Sequence, residues 1–226
     1  METLNLDNYD MSTERGYLCR FDAEDVQLNG ELGQIRDVAM QLPQIMPTGR
    51  VRSLLKESLP ETDLKDALAT CTDAQARRLM VHYSFMVQAY VWGEPEAPTN
   101  LPPCLAMPMV SVADHLGQQP LLPYSSYVLD NWGRFDKAGP IDLDNIYMLQ
   151  HFLGGQDEAW FVLVHVAIEA KAGSALALMG PIVDAIANDD LASVQSKLED
   201  MATIWADINT IFDLSLIHIS EPTRPY

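Results

Sequence analysis

Residues 157–181 read DEAWFVLVHVAIEAKAGSALALMGP, and the fold class turns on this stretch. Trp160 to Met179 is nearly continuous in apolar residues and rich in alanine, the strongest helix former. Asp157 is placed to cap its start, and Glu158 lies in the first turn, where the helix dipole favours a negative charge. A helix apolar on most faces belongs at the centre of a bundle. Gly180-Pro181 predicts a break, with Pro181 suited to the first turn of a new helix.

Downstream, Asp189-Asp190 opens an amphipathic helix predicted over 191–214. Val194, Leu198, Met201, Ile204, Trp205, Ile208, Ile211 and Phe212 recur in it at helical spacing. From Ser215 on, SLIHISEPTRPY continues no such period and resembles the in-frame translation of a transposon-type sequencing adapter. Residues 215–226 are therefore expected to be a non-native tail, and the natural protein is expected to be longer.

Upstream, helices are predicted over 143–152, stopping at Gly154-Gly155, and over 124–132, with Val128, Leu129 and Trp132 on one face. Another short helix or turn is predicted over 110–116. Pro95, Pro98, Pro102, Pro103 and Pro108 predict an extended connector from Glu94 to Pro108, because proline suits neither helix interiors nor sheet ladders. The strongest helix of the first half follows Thr72, with Asp73 as its expected N-cap. Leu79, Tyr83, Met86, Val87 and Tyr90 form its stripe, and Trp92-Gly93 ends it. Shorter helices are predicted over 31–42, 51–58 and 64–69, and the first 30 residues read as an arm laid over something else. With no internal repeat and no βαβ alternation, the class is all-α. A small, irregular helical domain over 1–154 precedes the first helices of a larger bundle over 155–214.

The chain has 226 residues with 32 Asp plus Glu against 14 Lys plus Arg, a net charge of -18. Such a surface repels phosphate, which argues against nucleic-acid and anionic-membrane partners. At 48% hydrophobic residues the chain can build a core. Cys19, Cys71 and Cys104 are odd in number and far apart, which suits a reducing, cytoplasmic setting better than a disulfide scaffold. No uninterrupted apolar run reaches the roughly 18 residues that span a bilayer, and the N-terminus lacks the pattern of a secretory signal.

Walker A, GxGxxG, GxSxG, HExxH and CxxC patterns are all missing. His82, His115 and His151 read as surface or capping histidines, and His218 falls in the suspect tail. His165 differs. It sits mid-way along the apolar helix, one turn after Phe161 and one turn before Glu169. Positions 161, 165, 168, 172 and 176 share one stripe, so Phe161 and His165 address the same space. A buried imidazole needs partners for both nitrogens. The residue is either a hydrogen-bonded core histidine or a polar group set in a dry pocket to meet a ligand.

Several blocks together carry a resemblance. Tyr90-Val91-Trp92-Gly93, Leu101-Pro102 through Leu105-Ala106-Met107-Pro108, Leu122-Pro123-Tyr124 through Val128-Leu129-Asp130-Asn131-Trp132, and Phe161 through Ile168-Glu169-Ala170 and Gly173-Ser174-Ala175 stand in order over 72–176. In order and spacing they resemble the N-terminal half of the indoleamine 2,3-dioxygenases. The resemblance implies a cytoplasmic haem enzyme of tryptophan catabolism that opens the indole ring with O2 to give N-formylkynurenine. It implies an all-α fold whose small domain covers the distal side of haem b and whose larger helical domain holds it. It places Tyr124 and Tyr127 along the substrate, Tyr127 standing where the family can have a cysteine. It makes Val128 an apolar wall of the cofactor pocket and sets Phe161 against both the cofactor and the substrate indole.

His165 becomes the catalytic residue, touching both substrate and cofactor spaces, able as a neutral ring to accept a hydrogen bond from the indole N–H. The vertebrate enzymes have serine there; a histidine is similar to the related tryptophan 2,3-dioxygenases. The histidine that ligates the iron, the arginine that pairs with the substrate carboxylate and a glycine-rich loop are expected beyond residue 214. No metal ligand is expected in this chain, which is expected to be inactive by itself. The competing expectation is a non-catalytic acidic helical module that binds a protein partner through its apolar second-half helices.

Overall fold

The computed structural model describes residues 5–219, with side chains described as far as Ser215. The chain divides into two compact units. One comprises Phe21–Gly133 and Met148–Ala159; the other takes the residues up to Arg20, Arg134–Tyr147, and those from Trp160 on. The boundary expected at residue 154 was a single cut, whereas the chain passes between the units several times. Periodicity reports which face of an element is apolar, and it does not report which distant segment covers that face.

The unit that starts at Phe21 holds helices α1 (Glu31–Ala39), α2 (Leu42–Ile45), α3 (Val51–Ser58), α4 (Lys65–Leu68), α5 (Asp73–Trp92) and α6 (Pro103–Leu116), with α1 and α3 against α5 and α4 against α6. Thr72, and not Asp73, caps α5: its hydroxyl accepts the Gln75 N–H at 3.2 Å while the Gln75 side chain accepts the Thr72 N–H at 3.0 Å. This reciprocal box satisfies two otherwise orphaned donors. Every residue from Arg78 to Val87 is buried, so α5 is the helix enclosed on all sides, and the single stripe expected for it is too narrow. It packs chiefly on α6 and α1, and then on the turn at Ser125–Leu129 and on α3.

Helix α6 corrects the proline connector. Pro103 stands in its first turn, where a missing N–H costs nothing, and Pro108 lies inside it. Buried Cys104, Leu105, Met109 and Val112 hold the helix against its surroundings despite the lost bond. Beyond α6 comes a π-helical turn, Ser125–Leu129, and then β1 (Trp132–Arg134) pairs with β2 (Ile146–Met148). The helix predicted over 143–152 is thus a strand. Ile146 and Met148 are buried and Tyr147 is not, a period of two too short to recognise in the sequence.

In the other unit, α7 (Gln156–Ala187) and α8 (Leu191–Ile219) dominate. Gly180-Pro181 does not break α7, because one missing donor is tolerated where buried Ala185 keeps the next turn packed. Helix α8 runs past Ser215, whose hydroxyl donates to the Phe212 carbonyl at 2.6 Å. Residues 220–226 of the expected tail lie outside the described residues.

The N-terminal arm crosses α7 through two glycines. A Cβ on Gly173 would stand 2.5 Å from the Thr13 carbonyl oxygen, and one on Gly16, where φ is +57°, would overlap the Glu169 carbonyl.

Helix α7 is less enclosed than its composition predicts. Phe161, Met179, Val183 and Ile186 are exposed. It is long and apolar enough to cross a membrane by length and composition, with a most apolar window of mean hydropathy 1.6 that is 39% buried. This amends the count of uninterrupted apolar residues, which found no such length; a core helix passes the same test.

Candidate functional site

Phe161 and His165 stand one turn apart on α7, as their spacing predicts. Their ring centroids are 4.6 Å apart at an interplanar angle of 46°. Phe161 is 42% exposed and His165 is half-buried. His165 Nδ1 lies 2.6 Å from the Phe161 carbonyl oxygen. A carbonyl only accepts, so Nδ1 carries the hydrogen and Nε2 is the ring's acceptor nitrogen in the neutral form. The backbone of the helix therefore chooses the tautomer. A cavity of about 530 Å³ in the same unit lies on another face of α7, against Ala167, Ala170 and Ser174, and neither ring lines it.

The other expected site residues share the π turn. Tyr124 precedes it and is 46% exposed; Tyr127 is half-buried; Val128 is buried at 1%. The turn closes through an i to i+5 bond from Asp130 N–H to the Ser125 carbonyl at 2.8 Å, a geometry that recurs at functional sites. Tyr127 joins an aromatic group with Phe85, 5.7 Å away, and Phe152, 6.4 Å away, while Phe85 and Phe152 stack at 4.3 Å. Burial raises the Tyr127 phenol above its ordinary pKa, and the negative charge of Glu158 adds to this. Glu158 itself clamps the adjoining loop, accepting the N–H groups of Phe152, Leu153 and Gly154 at 2.6, 2.9 and 3.0 Å.

Behind the turn runs a buried polar network. Arg77 grips Asp130 with two hydrogen bonds, at 2.9 and 2.5 Å, and Arg78 donates to the Asp130 carbonyl at 2.8 Å. Burial still lifts the Asp130 carboxyl above its usual range against the pull of Arg77. The Asn131 side chain accepts the Gln150 N–H at 2.7 Å and donates to the Gln150 carbonyl at 2.9 Å. Gln150 Nε2 donates to the carbonyls of Ala39 and His151, and its Oε1 accepts from His82 Nδ1 at 2.8 Å.

His82, expected at the surface, is 1% exposed. Burial holds its pKa down at about 3, helped by the charge of Arg78. Asn131, Gln150, His82 and the Arg77–Asp130 pair were missed by sequence reasoning. Their bonds link residues tens of positions apart, and no local spacing announces them.

Thus Phe161 and His165 come together on α7, and Tyr124, Tyr127 and Val128 on the π turn of the other unit. Among the described residues no group of three or more His, Cys, Asp or Glu could hold a metal ion.

A family model for indoleamine 2,3-dioxygenase matches residues 5–221. The chain is 32% identical over 177 residues to indoleamine 2,3-dioxygenase 1 of Mus musculus, covering 77% of this chain and 42% of that protein. It is 35% identical over 178 residues to the indoleamine 2,3-dioxygenase of Saccharomyces cerevisiae, covering 74% and 38%. It is 27% identical over 230 residues to one of Penicillium citrinum, covering 99% and 51%. The chain therefore spans about half the length, or less, of the curated relatives it matches.

Proposed function

Because the chain belongs to the indoleamine 2,3-dioxygenase family, we propose that its protein inserts O2 into the indole ring of tryptophan, or of a related indole, to give N-formylkynurenine. The Phe161–His165 pair carries this reading. An apolar ring and an imidazole of fixed tautomer share one helix face, which suits a flat aromatic that owns a single N–H.

The group that such chemistry calls for is haem b. The residues present fit it as one face: a half-exposed aromatic, the adjoining stripe of Ile168 and Ala172, and one ring nitrogen able to accept. Haem, when bound, supplies O2 activation and electron transfer.

The chain's own residues do the orienting. Phe161 offers its ring to the indole plane, and His165 Nε2 accepts the indole N–H and fixes which edge of the indole faces the chemistry. The family likeness reads Tyr124 and Tyr127 as substrate-lining residues and Val128 as a wall of the cofactor pocket. Confining the substrate to within about an ångström is the main service such a chamber renders. The three cysteines, none of them in a disulfide among the described residues, are in keeping with work in the cytoplasm.

The test is direct. Protein expressed from the whole reading frame and loaded with haem should show a Soret band that shifts on adding tryptophan, and should form N-formylkynurenine. A protein that stays colourless when supplied with haem overturns the reading.

A second reading, a helical module that binds a protein partner, has the exposed Met179, Val183, Ile186, Leu198, Trp205 and Phe212 in its favour. It predicts partner binding that is indifferent to haem.

A further inference from the structure

Asn29 is the one asparagine of the chain that precedes a glycine. We propose that the Asn29-Gly30 peptide is a site of spontaneous covalent modification, deamidation by water to aspartate and isoaspartate, and that isoaspartate there loosens the first turn of α1.

The local geometry leaves both reacting groups free. Asn29 and Gly30 are exposed. Among the described residues neither the Asn29 side-chain amide nor the Gly30 N–H has a hydrogen-bond partner. Gly30 sits at φ +59° just ahead of α1, and a Cβ built on it would meet nothing within 4 Å. The Gly30 nitrogen is thus uncovered, and glycine turns about its own bonds more freely than any other residue. Asn131 and Asn145 differ. Hydrogen bonds pin both the oxygen and the nitrogen of their amides, and the bulky Trp132 and Ile146 follow them.

The reaction balances without an oxidant or reductant. The Gly30 nitrogen attacks Asn29 Cγ, the N–Cγ bond forms and the Cγ–Nδ2 bond breaks. Nδ2 leaves as ammonia and takes the hydrogen that the Gly30 nitrogen gives up. Water then opens the five-membered succinimide. Attack at Cγ restores the main chain and leaves an aspartate side chain. Attack at the Asn29 carbonyl carbon breaks the former peptide bond and leaves the chain running through Cγ, which is isoaspartate. Either product carries one more negative charge than asparagine.

The two products act differently on α1. The Asn29 carbonyl accepts the Gly33 N–H at 3.4 Å, and the Gly30 carbonyl accepts the Gln34 N–H at 3.2 Å. Upstream the chain is anchored. Leu28 is 2% exposed, its carbonyl accepts from Arg36 Nη1 at 3.3 Å, and the Gln27 carbonyl accepts from Gln75 Nε2 at 2.9 Å. Downstream, Ile35 and Ala39 of α1 are fully buried. A Cβ on Gly33 would stand 2.9 Å from the Leu28 carbonyl oxygen, so the first turn already lies close against the chain before it. Isoaspartate inserts one main-chain carbon between these anchored ends and turns the carbonyl that served Gly33 into a pendant carboxylate. Aspartate adds only charge, near a helix N-terminus that favours it.

The experiment ages the protein at mildly alkaline pH and follows its peptides by mass spectrometry. An endoproteinase that cuts before aspartate and not before isoaspartate separates the two products. The Asn29 peptide should gain about one dalton about tenfold faster than the peptide of Asn100, which is exposed but precedes Leu101. Gly30→Ala should slow the reaction about tenfold by crowding the nucleophile. Hydrogen exchange at the Gly33 and Gln34 amides should rise about tenfold in aged protein. It should stay at the fresh rate in Asn29→Asp, which has the charge without the added carbon, and in Asn29→Gln aged alike.

Deamidation at Asn29 no faster than at Asn100, or undiminished in Gly30→Ala, overturns the site. Equal exchange in fresh and aged protein, or the same rise in Asn29→Asp, overturns the effect on α1.

Discussion

The imidazole of His165 donates its Nδ1 hydrogen to the carbonyl of Phe161 at 2.6 Å, and the two rings stand 4.6 Å apart. Sequence spacing predicts the shared face; the hydrogen bond adds the tautomer. The acceptor nitrogen is thereby Nε2. His165→Ala should lower turnover by about 10²-fold or more, the usual scale for a lost proton acceptor, with haem content nearly unchanged. Loss of haem with unaltered turnover per haem would make His165 a cofactor-binding residue instead.

Phe161→Ala removes the half-exposed ring and should raise the tryptophan requirement and slow the reaction. Steady-state kinetics on the haem-loaded variant measure both. A rate identical to wild type would return Phe161 to ordinary packing.

Gly16 is held at φ +57° with no room for a Cβ beside the Glu169 carbonyl. Gly16→Ala should therefore cost about 2–4 kcal/mol from backbone strain and steric overlap together. Denaturant unfolding with a matched m-value measures it. A loss below about 0.5 kcal/mol, the range of ordinary surface changes, would mean that the arm does not bear on α7 through this glycine.

His82 has a folded pKa of about 3, below its ordinary 6.5. The unfolded chain therefore binds the extra proton between those values, and stability falls as pH drops from 6.5 toward 3. His82→Gln keeps a donor toward Gln150 and cannot ionise. Its stability difference from wild type should change steadily across that window in favour of the variant, and stay constant above pH 7. A difference independent of pH would mean that the ring is not held neutral by burial and by the nearby Arg78 and Arg36.

The sequence was most informative where chemistry is local. The α3 boundaries, the stop of α5 at Gly93 and the Phe161–His165 face all follow from spacing within one or two turns. It misled where tertiary packing overrides propensity. Pro108 and Pro181 lie inside helices, and Ile146–Met148 is a strand paired with residues more than ten positions away. The composition of α7 promised the central helix, yet α5, with Arg78, His82 and Ser84 buried in its length, is the enclosed one. Those polar residues disguise α5 because their partners, Asp130 and Gln150, come from far along the chain. Tyr124, Tyr127 and Val128 were reached through family likeness, while the π turn that carries them left no periodic trace.

The most direct test of the central claim is a tryptophan titration of the haem-loaded protein, in wild type and in His165→Ala, followed by both the Soret band and N-formylkynurenine formation. The account predicts a saturable Soret shift and product in the wild type, with haem retained and product formation sharply reduced in the variant. A wild-type protein that takes up haem yet neither shifts nor forms product, or a variant that turns over as fast as wild type, would contradict it.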